Sequence, residues 1–182
     1  IEISIIIATR NREKILWETV EKACAAIKGK NAEIIIVNDG AAPLEIPETV
    51  AGKINLIENP KRGVAVARNT GAASAKGNIL FFADDDMWIN SQVIDWINSN
   101  LGSKNNIQSV FCINWEYPPY LKEKLSESKI GRHILAANYH TLWGRLHEKN
   151  PQPSGLFEHV YLGSGSFVIH QSLFKKTGGY NE

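Results

Sequence analysis

At 182 residues with 43% hydrophobic content, the chain is long enough to bury one core of ordinary size, which excludes a disordered polymer. Its 20 basic and 19 acidic residues leave a net charge of +1, so nothing argues for a nucleic-acid polymer as partner, while a small anionic ligand stays admissible. No apolar run approaches the ~18 residues of a membrane span, and no signal-peptide pattern opens the sequence.

The elements follow in chain order. IEISIIIA, from Ile1 to Ala8, is β-branched and apolar nearly throughout, as a strand covered on both faces should be. NREKILWETVEKACAAIKG follows as a helix, with Ile15, Leu16, Val20, Ala23, Cys24 and Ile27 at helical spacing, Asn11 placed to cap it and Gly29 to end it. Cys24 falls on that apolar stripe and Cys112 is the second cysteine, so a reduced, intracellular protein is expected rather than a disulfide framework. AEIIIVNDG gives a second buried strand ending at Asn38, and INLIE (54–58) a shorter one.

GVAVARNTGAASAK reads as a helix of small residues stopped at Gly77, slim enough to approach a sheet closely. A strand at 79–83, a helix from about Asn90 to Leu101 and a strand in IQSVFCINW come next. Residues 117–160 carry Pro118, Pro119, Pro151 and Pro153 and read as an irregular or helical insertion that covers a site. A short strand, Phe167 to His170, and a helical turn ended by Gly178 and Gly179 close the chain. Alternating strands and helices imply one α/β domain: a doubly wound, mostly parallel sheet flanked by helices.

The apolar strand 79–83 runs straight into Asp84, Asp85 and Asp86. Like charges so close repel, and solvent, a basic neighbour or a bound cation must compensate them. In a doubly wound sheet, ligands sit beyond the carboxyl ends of the strands, where the strand order reverses. If the first and fourth strands are neighbours, Thr9 to Asn11, Asn38 to Gly40 and the three aspartates share one rim. A carboxylate in the second loop can accept from a base N–H or a ribose hydroxyl. Those after the fourth strand can hold a hard divalent cation that neutralises a diphosphate, and such an ion is the expected answer to their repulsion.

The blocks SIIIATRN, IIIVNDGA, NPKRGVAVARNTGAASAKGNILFFADDD and GSGSFVIHQSLFKKTGGYNE, in that order, resemble the family 2 glycosyltransferases, which have the GT-A nucleotide-diphospho-sugar transferase fold. The resemblance covers about residues 2–115 and 163–182. It implies inverting transfer of a sugar from a nucleotide-diphosphate sugar, a UDP-sugar by family frequency, to a glycan or lipid-linked acceptor, with Mn²⁺ or Mg²⁺ bound. By position Ala8, Thr9, Arg10 and Asn11 match the first nucleotide loop, and Asp39 the carboxylate that reads the base. Gly63, Arg68 and Asn69 match the segment approaching the donor, Asp84 and Asp85 the donor side, and Asp86 the metal ligand. The stretch departs from the usual D-A-D-D, with Asp85 in place of the small residue and Met87 in place of the last acid, so the neighbouring aspartate stays open as the ligand. The family's general base follows the GGYNE-like segment, and Glu182 aligns with the end of that segment, so a catalytic-domain fragment with its base beyond Glu182 is expected.

Other classes compete with this reading. A sugar-nucleotide nucleotidyltransferase needs a glycine-rich basic loop after the first strand, and ATRNREK has no glycine. A phosphatase with an aspartate nucleophile would carry its acids after the first strand. A nucleotide-binding but inactive module remains the serious rival. His133, His140, His147 and His159 lack metal-ligand spacing, His170 and the 163–165 glycines are expected on the acceptor side, and Trp88 and Trp115 are read as packing residues. Localisation is expected to be cytoplasmic, extending to the inner face of a membrane where the acceptor is lipid-linked.

Overall fold

The computed structural model describes residues 2–102, 108–137, 139–141 and 165–182. Strands β1 (Ile3–Thr9), β2 (Ala32–Asn38), β3 (Asn55–Glu58), β4 (Ile79–Asp84), β5 (Val110–Cys112) and β6 (Ser166–His170) form one sheet in the order β3-β2-β1-β4-β6-β5. β1 pairs in parallel with both β2 and β4, and β6 runs antiparallel to β4. The expected neighbours are therefore present, and the chain reverses its winding between β1 and β4.

Crossovers between parallel strands are right-handed, so connections leading in opposite directions along the sheet lie on opposite faces. Helix α1 (Glu13–Ala26) joins β1 to β2, and α2 (Val64–Ser74) returns the chain from β3 to β4. On one face Ile6, Leu80, Phe82, Phe167 and Ile169 pack with Ala72 of α2 and Phe174 of a short helix α6 (Gln171–Lys176). Phe82 stacks on Phe167 with ring centroids 4.8 Å apart and meets Tyr180 edge-on at 5.4 Å. The pleat sends Ile5, Ile7, Ile79 and Phe81 to the other face, and all are buried. The expected close approach of the small-residue helix is met at Gly71, where a Cβ would collide with Ile6 and crowd Val37.

Several elements differ from expectation. Arg12, not Asn11, is the N-cap of α1, because Asn11 turns the chain with φ 54°. Ile15 lies off the buried stripe, which Leu16, Thr19, Val20, Ala23 and Ala26 form. The strand expected over 107–115 is confined to β5, and β4 extends one residue further to include Asp84. Helix α3 (Ser91–Leu101) begins as read, with the Asn90 side chain accepting from Val93 N–H at 3.0 Å.

Residues 1–111 with 164–182 form one compact unit and 112–163 a second. In the second, α4 (Pro119–Ser126) and α5 (Lys129–Ala136) pack together, and Glu116 bridges to Thr141. Trp115 stacks on Tyr117 there. His147, His159, Pro151 and Pro153 lie outside the described residues. Both cysteines are free thiols. No helix among the described residues is long and apolar enough to cross a membrane.

Candidate active site

The first three strands and β4 deliver their carboxyl ends to one rim of the first unit. Thr9 and Asn38 are register partners there, and so are Ala8 and Asp84. The Asp39 N–H donates to Thr9 carbonyl at 2.8 Å, which ties the two loops together. Asn38 is buried and builds its own turn: its Oδ1 accepts from Gly40 N–H at 2.9 Å, and its Nδ2 donates to Ala42 carbonyl and Glu58.

Asp39 faces a cavity of about 150 Å³, lined also by Arg10, Asn11, Gly40, Asn59 and Arg62. Its Oδ1 accepts twice, from Gly63 N–H at 2.8 Å and from Asn59 Nδ2 at 2.6 Å. Gly63 reaches that position with φ 141°, a conformation that favours glycine, and then caps α2. Among the described residues, Asp39 Oδ2 receives no donor. A larger hollow of about 470 Å³, bordered by Cys24, Lys28, Val50 and Lys53, lies away from this rim, and none of the predicted site residues lines it.

The acidic loop has an internal answer to its repulsion. Arg12 donates through Nη1 to Asp85 Oδ1 at 2.7 Å and through Nη2 to Asp86 Oδ2 at 2.8 Å. Thr9 Oγ1 donates to the other Asp85 oxygen at 2.7 Å, so Asp85 is buried and fully committed inside the chain. Burial holds the Asp85 carboxyl above its ordinary range, against the opposing pull of the Thr9 hydrogen bond and the Arg12 charge. Arg12 in turn is held more firmly protonated, chiefly by its bond to Asp86. Arg68, buried in α2, donates to Asp84 Oδ1 at 2.9 Å and lies over the Tyr180 ring at 5.2 Å.

The predicted residues thus divide. Arg10, Asn11 and Asp39 line one cavity, and Gly63 pins the Asp39 carboxylate. Ala8 packs its side chain into the core with Ile35, Val37 and Ala67. Asn69 spends its amide on the last residues: Nδ2 donates to Tyr180 carbonyl and to Glu182 Oε1, and Oδ1 accepts from Tyr180 N–H, each at 2.9 Å. His170 pairs with Ile79 at the opposite end of β4 and caps α6, so it does not belong to this rim. Trp88, read as a packing residue, is half exposed with Lys22 over its ring. Arg12, Asn59, Arg62 and Tyr180 were missed, although ATRNR and NPKRG place basic residues beside both loops.

A divalent cation can be tested against this donor set. Asp84 and Asp86 have side chains 48% and 50% exposed, and each gives one oxygen to an arginine. Gly165 leaves open the approach to Asp84, because a Cβ there would fall on its carboxylate. No cluster of three or more His, Cys, Asp or Glu is present among the described residues. Mg²⁺ and Mn²⁺ are commonly held by one or two carboxylates with substrate phosphates and water filling the remaining positions, and Asp84 with Asp86 fits that demand.

Comparison with known proteins agrees with the geometry. Glycosyltransferase GlyA of Streptococcus pneumoniae is 27% identical over 88% of this chain and 22% of its own length. WfaP of Escherichia coli, a UDP-Glc:α-D-GlcNAc-diphosphoundecaprenol β-1,3-glucosyltransferase, is 35% identical over 53% of this chain and 40% of its own. The chain spans less than half the length of these relatives. Among solved structures, the mannosyltransferase PcManGT of Pyrobaculum calidifontis, in complex with GDP-Man and Mn²⁺, superposes with TM-score 0.60 at 17% identity over 99% of this chain and 47% of its own. S. aureus TarS 1-349 in complex with UDP-GlcNAc gives 0.57 at 16%, over 100% and 49%. Both neighbours have the GT-A fold. The profile described as Glycosyl transferase family 2 matches residues 4–177, and the chain belongs to that family of glycosyltransferases.

Proposed function

We propose that this chain transfers a sugar, with inversion, from a nucleotide-diphosphate sugar to a hydroxyl of a glycan or lipid-linked acceptor, and that the donor is a UDP-sugar. The carrying observation is the state of Asp39. Its Oδ1 is occupied by Gly63 N–H and Asn59, which leaves Oδ2 as the acceptor that Asp39 can offer a ligand in the cavity it lines. Uracil offers one N–H between two carbonyls, whereas guanine offers two adjacent donors that ask for both carboxylate oxygens. Arg10 and Arg62 supply donors for the flanking carbonyls. This favours uracil.

The remaining roles follow from charge. Asp84 and Asp86 are the residues that would hold Mn²⁺ or Mg²⁺, and a bound ion would neutralise charge building on the departing diphosphate. A base accepts the proton of the acceptor hydroxyl, the oxygen forms its bond to the anomeric carbon, and the bond to the diphosphate breaks with its electron pair leaving on oxygen. Attack from the face opposite the diphosphate inverts the configuration. Asn69 holds Tyr180 and Glu182 beside the helix that carries Arg68. The diphosphoundecaprenol-linked acceptor of WfaP supports a lipid-linked acceptor here and hence action at the inner face of a membrane.

A thermal-unfolding series with UDP, GDP, CDP and ADP, each with Mn²⁺ or chelator, tests the reading, because a ligand that binds only the folded chain raises its stability by mass action. UDP with Mn²⁺ should stabilise most. A larger effect of GDP would overturn the base assignment, and a product of retained anomeric configuration would overturn inversion.

A further inference from the structure

Two guanidinium groups already meet the three carboxylates of the acidic loop. Arg68 takes Asp84, and Arg12 spans Asp85 and Asp86. Three negative charges less two positive leave one net negative charge, a weak attraction for a free divalent ion. The two partners of Arg12 differ: the Asp85 side chain is 6% exposed and that of Asp86 50%.

We propose that Arg12 is the resident counter-cation of this rim, holding Asp86 while no ion is present and making ion binding conditional on a diphosphate. The inference rests on reading the rim as the donor site. An ion approaching Asp86 meets a guanidinium one carboxylate away, and like charges at that separation repel. A diphosphate removes the conflict. Its oxygens match the fork of an arginine as well as a carboxylate does, so Nη2 can leave exposed Asp86 for a phosphate oxygen. Nη1 stays on buried Asp85, whose charge would otherwise be unpaired. Asp86 is then free for the ion that arrives with the nucleotide. The asymmetry of burial decides which bond opens.

The test is Mn²⁺ binding to the 182-residue chain, followed by the electron paramagnetic resonance of the free ion, with and without UDP and corrected for the ion that UDP holds in a protein-free control. Wild type should bind Mn²⁺ weakly alone and about tenfold or more tightly with UDP. Arg12→Gln should bind Mn²⁺ alone about tenfold more tightly than wild type and lose most of the UDP dependence. Arg12→Lys, which keeps the charge, should stay near wild type. If Arg12→Gln fails to fold, Arg12→Gln with Asp85→Asn leaves no unpaired buried charge and keeps the net charge of wild type, so it should gain less Mn²⁺ affinity but still lose most of the UDP dependence, because Asp86 is free without a diphosphate. Unchanged or weaker binding in the Gln variant overturns the proposal, because Arg12 would then orient Asp86 for the ion. Equal Mn²⁺ affinity of wild type with and without UDP also overturns it. A chain that UDP stabilises but that never binds Mn²⁺ overturns this inference and leaves the nucleotide reading standing, whereas no effect of UDP overturns both.

Discussion

Arg68 donates to Asp84 Oδ1 at 2.9 Å, from a guanidinium that is nearly all buried to a carboxylate that is half exposed. That inequality predicts an asymmetric response to mutation. Asp84→Ala leaves a buried cation over the Tyr180 ring, and should cost about 2–3 kcal/mol, less than a fully buried pair because water reaches the site. Arg68→Met removes the buried charge at similar volume and should cost about 1 kcal/mol or less. Urea unfolding of both variants measures the order, and a larger loss in Arg68→Met would refute it.

Asp39 has separate duties for its two oxygens. Asp39→Asn keeps one acceptor for Gly63 and Asn59 but turns the other position into a donor, facing whatever N–H the ligand presents. UDP affinity should fall about 10- to 100-fold while fold stability changes by less than about 1 kcal/mol. Asp39→Ala loses the loop anchor as well, and its melting temperature should drop further. Calorimetric titration of UDP into the Asn variant decides the point, and wild-type affinity there would sink the assignment.

Asp86, the proposed ion ligand, is exposed and pairs with Arg12. In wild type at a UDP concentration of 100 times Kd, the nucleotide should add about 2.7 kcal/mol of stability. Chelator should remove most of this gain, and Asp86→Ala should be insensitive to Mn²⁺. Equal UDP effects with Mn²⁺ and chelator in wild type would remove Asp86 from the site.

The Tyr180 phenol is pushed from 10 up to about 12, chiefly by burial, with the Arg68 charge pulling it down and Asp84 pushing it up. An acid whose folded pKa is raised holds its proton more tightly when folded. The stability it contributes is complete below pH 10 and is lost as pH rises through about 12. Tyr180→Phe should therefore differ from wild type in the slope of stability against pH in that alkaline window, and the two should run parallel at lower pH. Parallel curves throughout would show that the phenol ionises equally in both states.

The sequence alone determined the alternation of elements, because runs such as IIIA and IIIVN are apolar without alternation and only a sheet covered on both faces accepts them. It also placed Asp39 and the aspartates on one rim, since a doubly wound order brings the ends of β1, β2 and β4 together. Which carboxylate does what was decided by tertiary structure. Asp84, Asp85 and Asp86 are indistinguishable as a string, yet the pleat and turn aim Asp85 inward to Thr9 and Arg12 while Asp86 faces out. Partners 73 and 74 residues away in sequence carry no local signature, so Arg12 looked like one more charge in ATRNREK. Asn69 was equally opaque, because its three hydrogen bonds to Tyr180 and Glu182 exist only when α6 has folded back against α2 across the shared face of the sheet. Periodicity reports which face a residue occupies, whereas side-chain pairing depends on distances that only the packed sheet creates.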